Sequence, residues 1–291
     1  MMFFLQLCID ALLLGGIYTL MAIGLSLIQG VARVINFAHG ESVMLGAYGA
    51  FWCFQLWGID PLIALPLLCL IGTLSGIILF RMVVARVLQA PQENQLLVTF
   101  GISLILQSIA LICWSADERS ANPPYALSSF GFGDLVVGGG PLIGFSVAAV
   151  LVTGLFLWLR YAELGRAARA IADNRDAALL MGINVPALYA LVFGLSTALG
   201  VATGAVMSFL LPITPLMGFP ILIKGFAIIV LGGLGSVTGT VLGAFVLSFA
   251  ETAIGYYVPD GNGWAEAVSF ALLFFTLILR PRGILGRAAA V

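Results

Sequence analysis

The sequence predicts an all-α, polytopic helical membrane protein, and three observations predict it. Hydrophobic residues fill 62% of the 291 positions and charged ones 9%, where soluble domains carry about 45–50% and about 25%. The apolar residues lie in runs long enough for helical spans of about 20 residues, too unbroken for the alternating pattern of an outer-membrane barrel. The 12 basic and 13 acidic side chains are too few to cover a soluble surface. With short loops the length admits roughly seven to nine spans. Residues 1–291 therefore read as a single transmembrane domain.

The spans follow in order. Met1 to Ile28 is apolar and lacks the basic start and cleavage site of a signal peptide, so 4–28 is a retained first span. The next are 38–57, 61–80, 95–114, 142–160 and 186–210. Segment 221–256 is too long for one helix, and Gly232-Gly233-Leu234-Gly235-Ser236 interrupts it. A final span covers 264–280, for about eight spans with interrupted or re-entrant segments. Leu45-Gly46-Ala47-Tyr48 recurs as Leu242-Gly243-Ala244-Phe245, suggesting two weakly similar halves of the kind that flank transport pathways.

Basic residues set the orientation. Arg33, Arg81 and Arg86, then Arg160, Arg166, Arg169 and Arg175, then Arg280, Arg282 and Arg287 share one side. Only Arg119 and Lys224 fall on or near the other. The N-terminus is then periplasmic and the C-terminus cytoplasmic. Outside lie the 115–141 loop and the Pro259-Asp260-Gly261 turn; the one substantial inner segment is 161–185.

Several chemistries are missing. A single histidine, His39, excludes a two-histidine metal site or an H-E-x-x-H protease. There is no G-x-S-x-G elbow, and the surroundings of Lys224 are not an ATP-binding P-loop. A net charge of −1 gives nucleic acid no basic patch to bind. Cys8, Cys53, Cys69 and Cys113 sit in apolar runs as packing residues. The chain thus reads as neither an enzyme nor a cofactor or metal protein. Asp10, Glu251 and Glu266 lie near span ends, Glu41 lies just inside the second span, and Lys224 is placed to snorkel outward. Without paired carboxylates inside the spans, an ion-coupled transporter is disfavoured.

The inner segment carries the most information. From Arg166 to Met181 it has helical character and ends at Gly182, a C′ position. Ala167, Ala170, Ile171, Asn174, Ala178 and Met181 recur on one face of small residues. A membrane-surface helix would present bulkier groups there, so this face suits docking against another protein.

The motifs resemble those of branched-chain amino acid ABC transporter permeases of the LivH type. Gly165-Arg166-Ala167-x-Arg169-Ala170 followed by Ala178-x-x-x-Gly182-Ile183-Asn184 is similar to that family's coupling loop. Asn36-Phe37-Ala38-His39-Gly40-Glu41 is similar to its first signature, and Leu231-Gly232-Gly233-Leu234-Gly235-Ser236 to a later one. The tail, Arg280-Pro281-Arg282-Gly283-Ile284-Leu285-Gly286, is similar to its ending.

The resemblance implies an inner-membrane subunit of a binding-protein-dependent importer. It implies a second homologous permease of the LivM type, two cytoplasmic ATPase subunits and a periplasmic solute-binding protein. Arg166, Arg169, Ala170, Asn174, Ala178, Gly182, Ile183 and Asn184 would couple to the ATPases. Asn36, His39 and Glu41 either cap the second helix and offset Arg33, or line the solute path along with Gly232, Gly233 and Gly235. A stand-alone channel for a small neutral solute such as urea is the alternative.

Overall fold

The computed structural model describes residues 2–259, 261–280 and 282–286, so Asp260, Pro281 and Arg287 lie outside the described residues. The chain runs through α1 (Met2–Ala32), α2 (His39–Trp57), α3 (Pro61–Leu79), a π-helical turn, the short α4 (Ala85–Val87) and α5 (Gln92–Trp114). An antiparallel hairpin, β1 (Ser129–Phe132) and β2 (Leu135–Gly138), stands where the sequence suggested only loop. There follow α6 (Gly139–Tyr161), α7 (Glu163–Asp173), α8 (Arg175–Leu180) and α9 (Val185–Met207). The last elements are α10 (Gly218–Gly232), α11 (Val237–Tyr257) and α12 (Ala265–Leu279).

Among the described residues six helices are long and apolar enough to cross a membrane: α1, α3 with its continuation through α4, α5, α6, α9 and α11. Local chemistry sets several ends. Gly58, at φ +63°, terminates α2, and Asp60 caps α3 by accepting from the Leu62 N–H at 2.8 Å, with Pro61 at the first helical position. The segment 221–256 does separate into two helices, because Gly233 and Gly235 adopt φ +108° and +76° and Ser236 caps α11.

The centre of the bundle is α1 and α9, both largely buried, while α3, α5 and α6 leave most of their surface free for lipid or partners. Gly72 and Gly76 let α3 press onto Ala198 and Gly194 of α9. Gly15 of α1 does the same for Phe245 and Ser248 of α11. Thus α1 lies along α11 as α9 lies along α3. The α1–α3 and α9–α11 units begin at opposite ends of the bundle, since α9 starts beside the end of α6 and α1 finishes there. These are two halves of inverted direction. The repeated Leu-Gly-Ala tetrapeptide does not mark them, because its copies fall in α2 and α11, which are not equivalent positions.

The second helix of each half is the irregular one. His39 begins α2 against Met21, roughly 16 Å from the Ala32 end of α1 at about 1.5 Å per residue. Helix α10 has 15 residues, about 22 Å against a hydrocarbon core of about 30 Å. Both therefore begin well inside the bundle. Their first turns meet where Gly40 abuts the Gly218 carbonyl, a contact that no larger residue could occupy.

Candidate functional site

At that meeting point Asn36, His39 and Glu41 are 3%, 1% and 0% exposed. Asn36 Oδ1 accepts from the Ala38 N–H at 3.0 Å, turning the chain into α2. His39 donates Nε2–H to the Met21 carbonyl at 3.2 Å and packs over Gly24 and Gly200. Its Nδ1 has no partner among the described residues. Glu41 does not offset Arg33: Ser103 of α5 donates to Oε1 at 2.9 Å, and Oε2, without a partner among the described residues, faces the Gly218 backbone. The carboxyl group sits at the start of α10, where unpaired N–H groups favour an acceptor.

Gly232, Gly233 and Gly235 lie elsewhere, at the arginine-rich end. Gly232 and Gly239 allow α10 and α11 to cross backbone to backbone, and Gly235 rests on Gly30 of α1. The tail closes this end. Ile284 and Leu285 donate their N–H groups to the Leu231 and Gly232 carbonyls at 2.9 and 3.0 Å, satisfying the last turn of α10. Two motifs more than forty positions apart in the sequence thus form one structural unit.

A charged cluster inside the bundle corrects the sequence reading of Lys224 as a snorkelling side chain. Its ammonium lies 3.2 Å from Glu251 Oε2 and donates to Tyr18 Oη at 3.0 Å. Tyr18 donates in turn to Glu251 Oε2, and Ser269 of α12 to Oε1, each at 2.5 Å. Four helices converge on one carboxylate. Neither Lys224 nor Glu251 is legible as paired from sequence, because α10 and α11 must first fold back at Gly233.

The 161–185 segment is two helices, not one. Asn174 breaks it at φ −152°, ψ 107°, and its side chain caps α8 through the Asp176 and Ala177 N–H groups at 3.0 Å each. Gly182 stands at φ +80°, as a C′ residue does. The predicted small-residue face does not stay together: Ile171 and Ala178 turn into the bundle core beside Ala168, with Ala178 only 3% exposed, Ala167 is half-buried, and Ala170, Asn174 and Met181 remain outside. The free surface holds Arg166, Ala170, Asn174, Gly182 and Asn184, and carries Leu180 and Met181 at 89% and 82% exposure. Ile183 is half-buried, and Arg169 bends back to donate to the Arg160 carbonyl at 3.4 Å.

The family model described as the permease component of branched-chain amino acid transport systems matches residues 7–277. The chain belongs to this permease family. It is 35% identical to the high-affinity branched-chain amino acid transport system permease protein BraD of Pseudomonas aeruginosa, over 98% of this chain and 96% of that protein. Against LivH of Escherichia coli the identity is 33% over the same shares. The probable LivH of Methanocaldococcus jannaschii is 29% identical over 95% and 90%. Two features of the fold stand at separate places. Buried helix starts form the crossing of α2 and α10, and an exposed apolar corner on α8 stands at the arginine-rich end.

Proposed function

We propose that this permease and a second, homologous permease of the LivM type together form the path by which branched-chain or related amino acids cross a bacterial inner membrane. A periplasmic binding protein delivers the solute, and two ATPase subunits dock on the arginine-rich face, whose basic-residue asymmetry supports a cytoplasmic position. The observation that carries the reading is near-full-length similarity to proteins named as branched-chain amino acid permeases.

The geometry adds a division of labour. Leu180 and Met181, with Arg166, Ala170, Asn174, Gly182 and Asn184 around them, form the ATPase-facing surface, and Ala178 anchors it to the bundle. Asn36, His39 and Glu41 hold the crossing of the two half-depth helices beside the path, and Gly232, Gly233 and Gly235 supply the bend below it. Two-state motion at that bend would link the docking surface to the path.

Reconstitution of the complete complex with its binding protein tests the proposal. ATP-dependent leucine, isoleucine or valine uptake is expected. Uptake of urea by this chain alone, without ATPases, would instead establish the stand-alone channel.

A further inference from the structure

A cavity of about 760 Å³ opens at the arginine-rich end between α1, α6, α7 and the turn before α11. Its floor is apolar, built from Leu27, Val31 and Phe156, with the exposed Leu157 at its edge. Its rim is polar, with Arg160, Arg169, Ser236 and Thr238, and with Asp173, which already has a partner. The floor lies in the last turns of α1 and α6, where helices leave the hydrocarbon and headgroups begin. Neither arginine forms an ion pair with a described residue. Arg169 reaches the Arg160 carbonyl, and the Arg160 guanidinium stands 5.4 Å from the Tyr161 ring centroid. Both are therefore held at the rim with N–H donors to spare.

We propose that this cavity binds one anionic phospholipid. The phosphate sits between Arg160 and Arg169, whose planar forks suit its oxygens, with the Ser236 and Thr238 hydroxyls as further donors. The glycerol and the first acyl carbons lie along Leu27, Val31 and Phe156. Among the described residues two cations against one carboxylate leave the rim net positive, which matches an anionic headgroup better than a zwitterionic one, whose ammonium would meet the arginines. The amphipathic order, cationic rim above apolar floor, distinguishes this occupant from a free anion, which would gain nothing from the floor. The bound lipid touches both α7 and the Gly235–Thr238 turn, and so couples the docking segment to the bend at α10.

The test takes the complete complex purified with its lipids, and lipid retention is read by native mass spectrometry, which does not depend on the transport reading. Phosphatidylglycerol should survive detergent exchange and be retained over phosphatidylcholine. R160Q/R169Q should lower that retention about tenfold or more, and Leu157→Trp, which crowds the apolar edge and leaves both arginines, should lower it as well. Equal retention of the two lipids, or full retention by both variants, overturns the proposal. So does displacement of the lipid by inorganic phosphate alone, which would make the site a free-anion site. Crosslinking of Thr238→Cys to a partner subunit in the intact complex overturns it too, since a protein would then fill the cavity.

Discussion

The Lys224 ammonium and the Glu251 carboxylate, 27 positions apart, form a 3.2 Å ion pair where α10 folds back along α11. Tyr18 and Ser269 also donate to the carboxylate, so the charge pair is both neutralised and hydrogen-bonded. The Lys224 side chain retains 19% exposure and Glu251 4%. In such surroundings a lone charge is far costlier than a pair.

Lys224→Met should therefore destabilise the protein by about 3–5 kcal/mol, and the double variant K224M/E251Q should recover most of that loss. Thermal denaturation of the purified proteins in one detergent compares them. A double variant no more stable than K224M would mean that Glu251 does not depend on Lys224.

The crossing of α2 and α10 tolerates no side chain at Gly40, where a Cβ would strike the Gly218 backbone. Gly40→Val should cost at least about 1–3 kcal/mol through overpacking and reduce uptake more than it reduces membrane insertion. Gly101→Ala, whose Cβ meets open space, serves as the control and should leave both unchanged. Equal behaviour of the two variants would show that the helix starts do not touch.

Exposed Leu180 and Met181 form the proposed ATPase surface, whereas Ala178 belongs to the core. L180S/M181S should fold normally and lose about tenfold or more in ATPase co-purification, as apolar anchors at interfaces do. Ala178→Trp should instead lower the yield of folded protein. Gly182→Val, forced from φ +80°, should cost about 1–2 kcal/mol and weaken docking alone. Wild-type ATPase association of L180S/M181S would remove α8 from the interface.

Topology is tested by cysteine labelling at exposed positions. Ala177→Cys on α8 should react only from the cytoplasm and Asn122→Cys only from the periplasm, both positions being solvent-accessible. Reaction of both from the same side would overturn the topology, and reaction of each from the opposite side would reverse the orientation drawn from the arginines.

Sequence by itself determined the membrane environment, the order of the spans, the glycine break and the C′ role of Gly182. Each of these follows from composition, run length or a single residue's backbone freedom, and such properties are local. It also carried the family motifs, because they are contiguous. The inverted halves, the junction of the tail with α10 and the Lys224–Glu251 pair were decided only by tertiary structure. Each joins residues from separate helices, and hydropathy says where a helix runs, not which neighbour it meets. The direction of the α7–α8 face shows the difference most plainly. Its small residues mark it as a close-packing surface, but a close-packing surface serves a partner and the chain's own core equally well. Only the fold placed Ala178 inside and left Leu180 and Met181 outside, because the Asn174 break lets α8 turn relative to α7.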